Sequence, residues 1–259
     1  MKLNKLIAIA TISLLSGGIS MAQKALNLED IVAGNIIQTK GIGSMTWLKD
    51  GERYSRLENN KQTGGTDIVA YRAKDNSREV IIPSSLLTDK STGRPIPVRS
   101  VSWSADNEKV LIYNNTRRVW RYDTRGDYWV LNLKDGALRQ LGKGMPESSM
   151  MFAKFSPDGT RVAYVSNNNI YVEDIDSGKI TQLTKDGSDT IVNGTFDWVY
   201  EEEFSCRDGF RWSPDGKHIA YWQSDTKGTG VFDIINNVDS IYAKVIHFPY
   251  PRQEPPIQP

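Results

Sequence analysis

The sequence is short of the residues from which metal centres and disulfide frameworks are built. It has one cysteine and two histidines in 259 residues, which excludes a zinc-finger ligand set and an intrachain disulfide. It has 32 Lys and Arg against 31 Asp and Glu, so no excess of positive charge is available to bind a nucleic-acid backbone. We therefore expect no metal, no cofactor and no nucleic-acid partner. We also expect the unpaired Cys206 to be buried.

Long apolar segments are missing after the N-terminus. Residues 1–22 read MKLNKLIAIATISLLSGGISMA, with two early lysines, an apolar run and small residues before position 23. This pattern predicts a Sec-type signal peptide cleaved after Ala22, because the run is shorter than the roughly 20 residues that a membrane span needs. We therefore expect a secreted or periplasmic protein that has no membrane span once the signal peptide is removed.

One turn motif recurs four times along the chain. It reads WLKDG at 47–51, WSADN at 103–107, FSPDG at 155–159 and WSPDG at 212–216. In such a turn Pro fixes φ, Asp bonds the local backbone and Gly accepts a positive φ. A strand pattern follows each turn, and a second hairpin follows in the middle units, giving about four strands per unit. Repeats of this kind are typical of β-propeller blades, whereas a β-sandwich would not repeat one turn motif at this period.

The sequence thus predicts an all-β fold, a partial β-propeller of about four blades that form part of a larger ring. Residues 248–259 are rich in proline and contain no strand pattern that could close a ring. We divide the chain into the signal peptide (1–22), an N-terminal segment (23–45) and an incomplete propeller domain (46–259). A naturally short paralogue is the alternative to an incomplete propeller.

Residues 197–204, DWVYEEEF, break the strand pattern. Glu favours helices and Asp197 can cap a helix N-terminus, so we predict a short helix inserted into a blade connection. The flanking aromatic residues are expected to desolvate the carboxylates in part, and desolvated carboxylates need a cation such as a substrate ammonium. A solvated acidic turn is the alternative, and the spacing alone does not decide between the two.

Together with RWSPDG at 211–216 and IAY at 219–221, the acidic segment closely resembles the dipeptidyl peptidase IV family of serine exopeptidases, in the prolyl oligopeptidase clan. The resemblance runs from about residue 26 to residue 251 and includes LEDI at 28–31. It implies that Glu202 and Glu203 grip the free N-terminal amine of a peptide. It also implies that Arg121 holds the substrate's backbone carbonyl and supports the glutamates, and that the complete ring has eight blades.

The residues of a peptidase active site are not found in this sequence. It has no Gly-x-Ser-x-Gly elbow, and His218 and His247 both lie in strand-like contexts, so we assign no catalytic residue. In the resembling family the nucleophile lies in a C-terminal α/β-hydrolase domain. We expect that domain to be absent from this chain, which leaves the chain inactive alone.

The resemblance predicts a function for the chain as a part of a larger enzyme. We expect the N-terminal propeller of a peptidase that releases dipeptides with Pro or Ala at the second position, with free-amine peptides as substrates and a full-length homodimer. One alternative is a non-catalytic secreted propeller that binds peptides or protein partners. Another is a prolyl tripeptidyl peptidase, which the paired glutamates disfavour.

Overall fold

Strands dominate the computed structural model, which describes residues 27–32, 41, 43–238 and 241–249. The predicted signal peptide and the last ten residues lie outside the described part. The chain divides into two compact units, Met1–Ile42 and Gly43–Pro259. In the first unit Leu28–Val32 form the short helix α1. None of the described helices is long and apolar enough to cross a membrane.

Three four-stranded antiparallel sheets follow one another in the second unit. The first contains β1 (Thr46–Trp47), β2 (Arg53–Asn59), β3 (Thr66–Arg72) and β4 (Arg78–Ile82). A 3-10 turn (Ser84–Leu87) and the short hairpin of β5 (Thr88–Asp89) and β6 (Arg94–Pro95) come next. The second sheet contains β7 (Ser100–Trp103), β8 (Lys109–Arg117), β9 (Arg125–Asn132) and β10 (Ala137–Gln140). The third contains β11 (Met151–Phe155), β12 (Arg161–Ser166), β13 (Asn169–Asp174) and β14 (Ile180–Gln182).

The core consists of apolar layers between consecutive sheets. Side chains alternate between the two faces of a strand, so Val110 and Ile112 of β8 pack toward the first sheet while Leu111 packs toward the third. In the same way Val162 of β12 faces the second sheet and Ala163 faces the region beyond the third. The inner strands are therefore buried on both faces, as expected for stacked propeller blades.

The repeated turn adopts one conformation at all four positions. The last residue of each motif has a left-handed φ between 59° and 68°, and these residues are Gly51, Asn107, Gly159 and Gly216. Asn stands in the second turn because it tolerates this conformation better than other residues with a side chain. The Asp before it accepts a hydrogen bond from the serine hydroxyl two residues earlier in the last three turns. The repeat seen in the sequence is thus confirmed as a repeated strand connection.

The fourth unit is built differently. It contains β15 (Ile191–Asn193), helix α2 (Trp198–Phe204), β16 (Phe210–Trp212), β17 (Ile219–Tyr221), β18 (Gln223–Asp225), β19 (Val231–Asn236) and β20 (Lys244–Pro249). Its described strands form the pairs β16–β17, β15–β18 and β19–β20 instead of one four-stranded sheet. Strands β17 and β18 are separated by Trp222, whose carbonyl accepts the N–H of Gly194 and whose N–H donates to the carbonyl of Gly209.

Because of these hydrogen bonds, β15 and β16 lie end to end along one continuous stretch of chain formed by β17, Trp222 and β18. Helix α2 lies in the insertion between β15 and β16. The prediction of an all-β partial propeller with a short inserted helix is confirmed. The predicted domain boundaries and the eight-bladed ring stay predictions.

Candidate functional site

The acidic motif lies in an insertion that is closed at its base. The N–H of Gly209 donates to the carbonyl of Gly194 at 3.1 Å, and Thr195 pairs with Asp208 in an antiparallel bridge. Between these contacts the chain forms α2. The Asp197 side chain accepts the N–H of Tyr200 at 3.0 Å, and the helix ends at Ser205, whose φ is left-handed. The predicted cap and helix are therefore present.

The three consecutive glutamates occupy three different environments. Glu201 is 6 % exposed, and its Oε1 has no hydrogen-bond partner. Burial raises its pKa, the nearby charge of Arg207 opposes that shift, and the neighbouring Glu202 adds to it. The side chain of Glu202 is 9 % exposed, whereas Glu203 is exposed. The motif thus turns one carboxylate inward, partly covers the second and presents the third to solvent.

Arg121 meets the second glutamate from another blade. It lies in the connection between β8 and β9, and its Nε is 2.6 Å from Oε2 of Glu202. The arginine side chain is 73 % exposed, so its remaining donors face solvent. A guanidinium carries a fork of donors that can hold a carboxylate and a second oxygen acceptor at once. The structure therefore brings together Arg121 and Glu202, with Glu203 next in sequence.

The connection that carries Arg121 is held by contacts to the residues that follow the arginine. The hydroxyl of Tyr113 reaches the carbonyls of Asp123 at 2.7 Å and Arg125 at 2.9 Å. On the other side, the guanidinium carbon of Arg207 lies 4.0 Å from the centre of the Tyr122 ring. Arg207 follows α2 by three residues, so this contact joins the arginine-bearing connection to the glutamate-bearing insertion.

The chain that leaves α2 is also fixed to the third sheet. Lys154 of β11 places its Nζ 2.5 Å from Oδ1 of Asp208 and 3.4 Å from the centre of the Phe210 ring. Asp208 also pairs with Arg211 at 2.9 Å. Burial lowers the pKa of Lys154 to about 8, although the bond to Asp208 opposes this shift. The insertion thus leaves the sheet from a rigid base.

A cleft of about 790 Å³ lies on the inner side of α2. Its lining includes Glu201 and Trp198 of the helix, Trp120 of the β8–β9 connection, and His247 of β20. His247 pairs with Asp233 across the β19–β20 hairpin at 2.6 Å, and His218 is exposed. No group of three or more His, Cys, Asp or Glu side chains that could hold a metal occurs in the part of the chain that is described.

One expectation about this segment is wrong and another holds for one glutamate. Cys206 is half-buried instead of buried, with its sulfur 3.5 Å from the carbonyl of Phe204, because it lies just past the helix end where the chain turns. The expected partial desolvation of the carboxylates is present at Glu201, which is buried and lines the cleft together with Trp198, whereas the other two aromatics, Tyr200 and Phe204, are exposed. Burial in the insertion comes from the inward face of the helix and reaches Glu201 instead of Glu203.

A comparison with protein-family models matches residues 104–256 to the N-terminal region of dipeptidyl peptidase IV. This match covers more than half of the chain. The chain belongs to that family. Dipeptidyl aminopeptidase B of Saccharomyces cerevisiae is 30 % identical over 241 residues, which are 87 % of this chain and 28 % of the yeast protein. A probable dipeptidyl-aminopeptidase B of Chaetomium globosum is 36 % identical over 135 residues, covering 52 % of this chain and 15 % of the relative.

A solved structure agrees with this dipeptidyl peptidase IV assignment. The crystal structure of Porphyromonas gingivalis dipeptidyl peptidase 4 superposes with a TM-score of 0.74 and 25 % identity, over 89 % of this chain and 32 % of that one. The chain thus spans about a third or less of the length of each relative named. The family predicted from the acidic motif is confirmed. The roles of Glu202, Glu203 and Arg121 stay predictions.

Sequence reasoning missed two residues that the structure places beside the predicted ones, Glu201 and Arg207. Glu201 could have been identified from the sequence: if the motif is a helix, Glu201 lies three residues after Trp198 and shares its helix face. Arg207 gives no such signal. Its contact with Tyr122 joins residues 85 positions apart, and only the fold brings them together.

Proposed function

We propose that this chain is the N-terminal propeller part of a secreted or periplasmic dipeptidyl peptidase IV-like serine exopeptidase. In this proposal Glu202 and Glu203 bind the free N-terminal amine of a peptide, and Arg121 binds a backbone carbonyl of the same peptide. The observation that carries the proposal is the ion pair between Arg121 and Glu202, which places a guanidinium from one blade at the acidic motif of another.

The charges in this arrangement are complementary to a peptide N-terminus. Arg121 already balances Glu202, while no described residue forms an ion pair with the exposed carboxylate of Glu203. A substrate ammonium about 4 Å from that carboxylate would gain about 4 kcal/mol at an effective dielectric of 20. The solvent-facing donors of Arg121 can meanwhile hold the first carbonyl of the peptide. A blocked N-terminus carries no charge and loses the attraction.

The position of the amine determines which bond is cleaved. If the anchor lies two residues before the scissile bond, only an unblocked peptide fits and a dipeptide leaves. The proposed substrates accordingly have a free N-terminus and Pro or Ala at the second position. The nucleophile, base and orienting acid belong to a hydrolase domain in the full-length protein, and this chain supplies the amine anchor and controls access. Residues 1–22 direct export.

We further propose that the full-length protein is a homodimer. The β19–β20 hairpin supports this, because Val231, Phe232, Ile235 and Val245 are large apolar side chains that are all exposed. A surface of this kind is unusual on a monomer and suits contact with a second copy.

The experiment is steady-state hydrolysis of Gly-Pro-p-nitroanilide by the full-length protein and its Glu202→Gln and Glu203→Gln variants. Loss of an ammonium contact of about 4 kcal/mol lowers kcat/KM by about 1,000-fold. Glu79→Gln is the matched control, since Glu79 is an exposed glutamate of β4 in the first sheet, and it should keep wild-type kinetics.

Wild-type kinetics in both glutamate variants would remove the amine-anchor assignment. A wild-type protein that binds the peptide and does not cleave it would instead favour the alternative, a non-catalytic propeller that binds peptides.

A further inference from the structure

Arg121 has to be held in place by something other than its own ion pair. Its side chain is 73 % exposed, so a single ion pair to Glu202 does not by itself fix the connection that carries it. The surrounding connection is irregular, with backbone bonds from Val119 and Thr124 that both end on the carbonyl of Tyr122. Tyr122 is therefore the centre of the connection, and whatever fixes Tyr122 also fixes its neighbour Arg121.

The contact that fixes the Tyr122 side chain comes from Arg207. A guanidinium 4.0 Å from a ring centre lies well within the range of a cation–π interaction, and a planar guanidinium stacks on a ring better than an ammonium does. Arg207 is also the positive charge that opposes the raised pKa of the buried Glu201. Its guanidinium thus interacts with the helix on one side and with the connection on the other.

The backbone of Arg207 is fixed independently of both. Its carbonyl accepts the hydroxyl of Thr195 at 3.0 Å, across the closed base of the insertion. The next residue, Asp208, is bonded to Lys154 of the third sheet and to Arg211. The Arg207 side chain therefore extends from a fixed backbone. The position of its guanidinium determines where the Tyr122 ring lies, and the ring does not determine where the guanidinium lies.

We propose that Arg207 is a positioning residue that fixes the Tyr122 ring and so keeps Arg121 against Glu202 in the substrate-binding arrangement. This inference rests on the proposed function, because it needs Arg121 and Glu202 to bind the substrate. Arg207 itself does not touch the substrate in this account. Arg207 keeps the connection that carries Arg121 ordered, so its removal weakens substrate binding and leaves the chemical step unchanged.

The test measures kcat and KM for Gly-Pro-p-nitroanilide in the full-length protein with Arg207→Gln and, separately, Tyr122→Leu. Each variant should raise KM about two- to five-fold, the size of one partly exposed cation–π contact, with kcat unchanged. Tyr122→Phe keeps the ring and should restore the wild-type KM. Arg94→Gln, at an exposed arginine of β6, is the matched control for removing one charge.

A double-variant comparison shows whether Arg207 acts through Arg121. In an Arg121→Ala background, Arg207→Gln should have no further effect on KM, because there is no guanidinium left to position. An equal rise in KM in both backgrounds overturns the proposal. If Arg207→Gln does not fold, Tyr122→Leu in the two backgrounds gives the same decision.

The outcomes also separate this inference from the proposed function. If Arg207→Gln and Tyr122→Leu keep the wild-type KM while Glu203→Gln loses activity, the positioning role is wrong and the amine anchor stands. If the wild-type enzyme cleaves N-acetyl-Gly-Pro-p-nitroanilide as well as the free-amine substrate, the amine anchor is wrong and Arg207 has no anchor to position.

Discussion

The three regular sheets and the region after them use the same turn motif and differ in what their side chains do. In the sheets the inner strands are buried on both faces, and Tyr164 of β12 is 0 % exposed. Beyond residue 190, β15 to β18 have three residues each, and Trp222, just after β17, is 66 % exposed. The regular part is thus stabilised by packing between sheets, whereas the region with the insertion presents side chains to solvent.

The two regions also differ in whether their buried carboxylates are fully hydrogen-bonded. Glu173 in β13 accepts the N–H of Gly142 at 2.8 Å and lies 3.4 Å from Arg139, so it links the third sheet to the second. Glu201 in α2 is equally buried, yet one of its oxygens has no partner. Buried polar groups are normally hydrogen-bonded, so Glu201 should stabilise the fold less than Glu173 does.

The largest expected contrast concerns packing. Tyr164→Ala removes a fully buried ring from the layer between the second and third sheets and should lower the free energy of unfolding by about 3–5 kcal/mol. Trp222→Ala removes an exposed side chain and should change it by less than about 0.5 kcal/mol. Urea denaturation followed by circular dichroism measures both. Equal losses would show that the two regions do not differ in packing.

An intermediate contrast concerns the two buried glutamates. Glu173→Met leaves the Gly142 N–H without an acceptor and should cost about 1–3 kcal/mol of unfolding free energy. Glu201→Met removes a carboxylate that is incompletely paired, so stability should stay the same or rise. The same denaturation curves give both values. A larger loss at Glu201 than at Glu173 would mean that the Glu201 carboxylate stabilises the fold.

A smaller effect is expected where the two regions meet, at Lys154. Its pKa is about 8 in the folded chain and 10.5 ordinarily, so between these values the unfolded chain binds more protons and stability rises with pH. The groups facing it are Asp208, which favours its charge, and Arg211, which disfavours it. Wild type should gain about 1 kcal/mol over Lys154→Met between about pH 8 and pH 9. Parallel pH profiles for the two proteins would contradict this.

Much of the fold could be predicted because local chemistry determines it. Each turn motif contains the residues that its conformation requires, and the strands after it show the pattern of a blade, so the hairpins follow from the sequence alone. The division of β17 and β18 at Trp222 could not be predicted. It depends on backbone bonds to Gly194 and Gly209, which only meet once the insertion has formed.

The site, like the fold, could be predicted only where residues adjacent in sequence determine it. The helix and its Asp197 cap follow from adjacent residues, and the family resemblance identified Glu202, Glu203 and Arg121 as candidates. Which glutamate is buried depends on the direction that the helix faces. The contact of Arg207 with Tyr122 depends on the fold bringing the β8–β9 connection of the second sheet to the insertion of the fourth unit, for which no short sequence pattern exists.

The central claim is that the acidic insertion binds a free peptide amine. Its most direct test is the ratio of kcat/KM for Gly-Pro-p-nitroanilide to that for N-acetyl-Gly-Pro-p-nitroanilide in the wild-type full-length protein. An ammonium contact of about 4 kcal/mol predicts a preference of about 1,000-fold for the free amine. A ratio near one would contradict the account, because the carboxylates of Glu202 and Glu203 would then contribute nothing to substrate recognition.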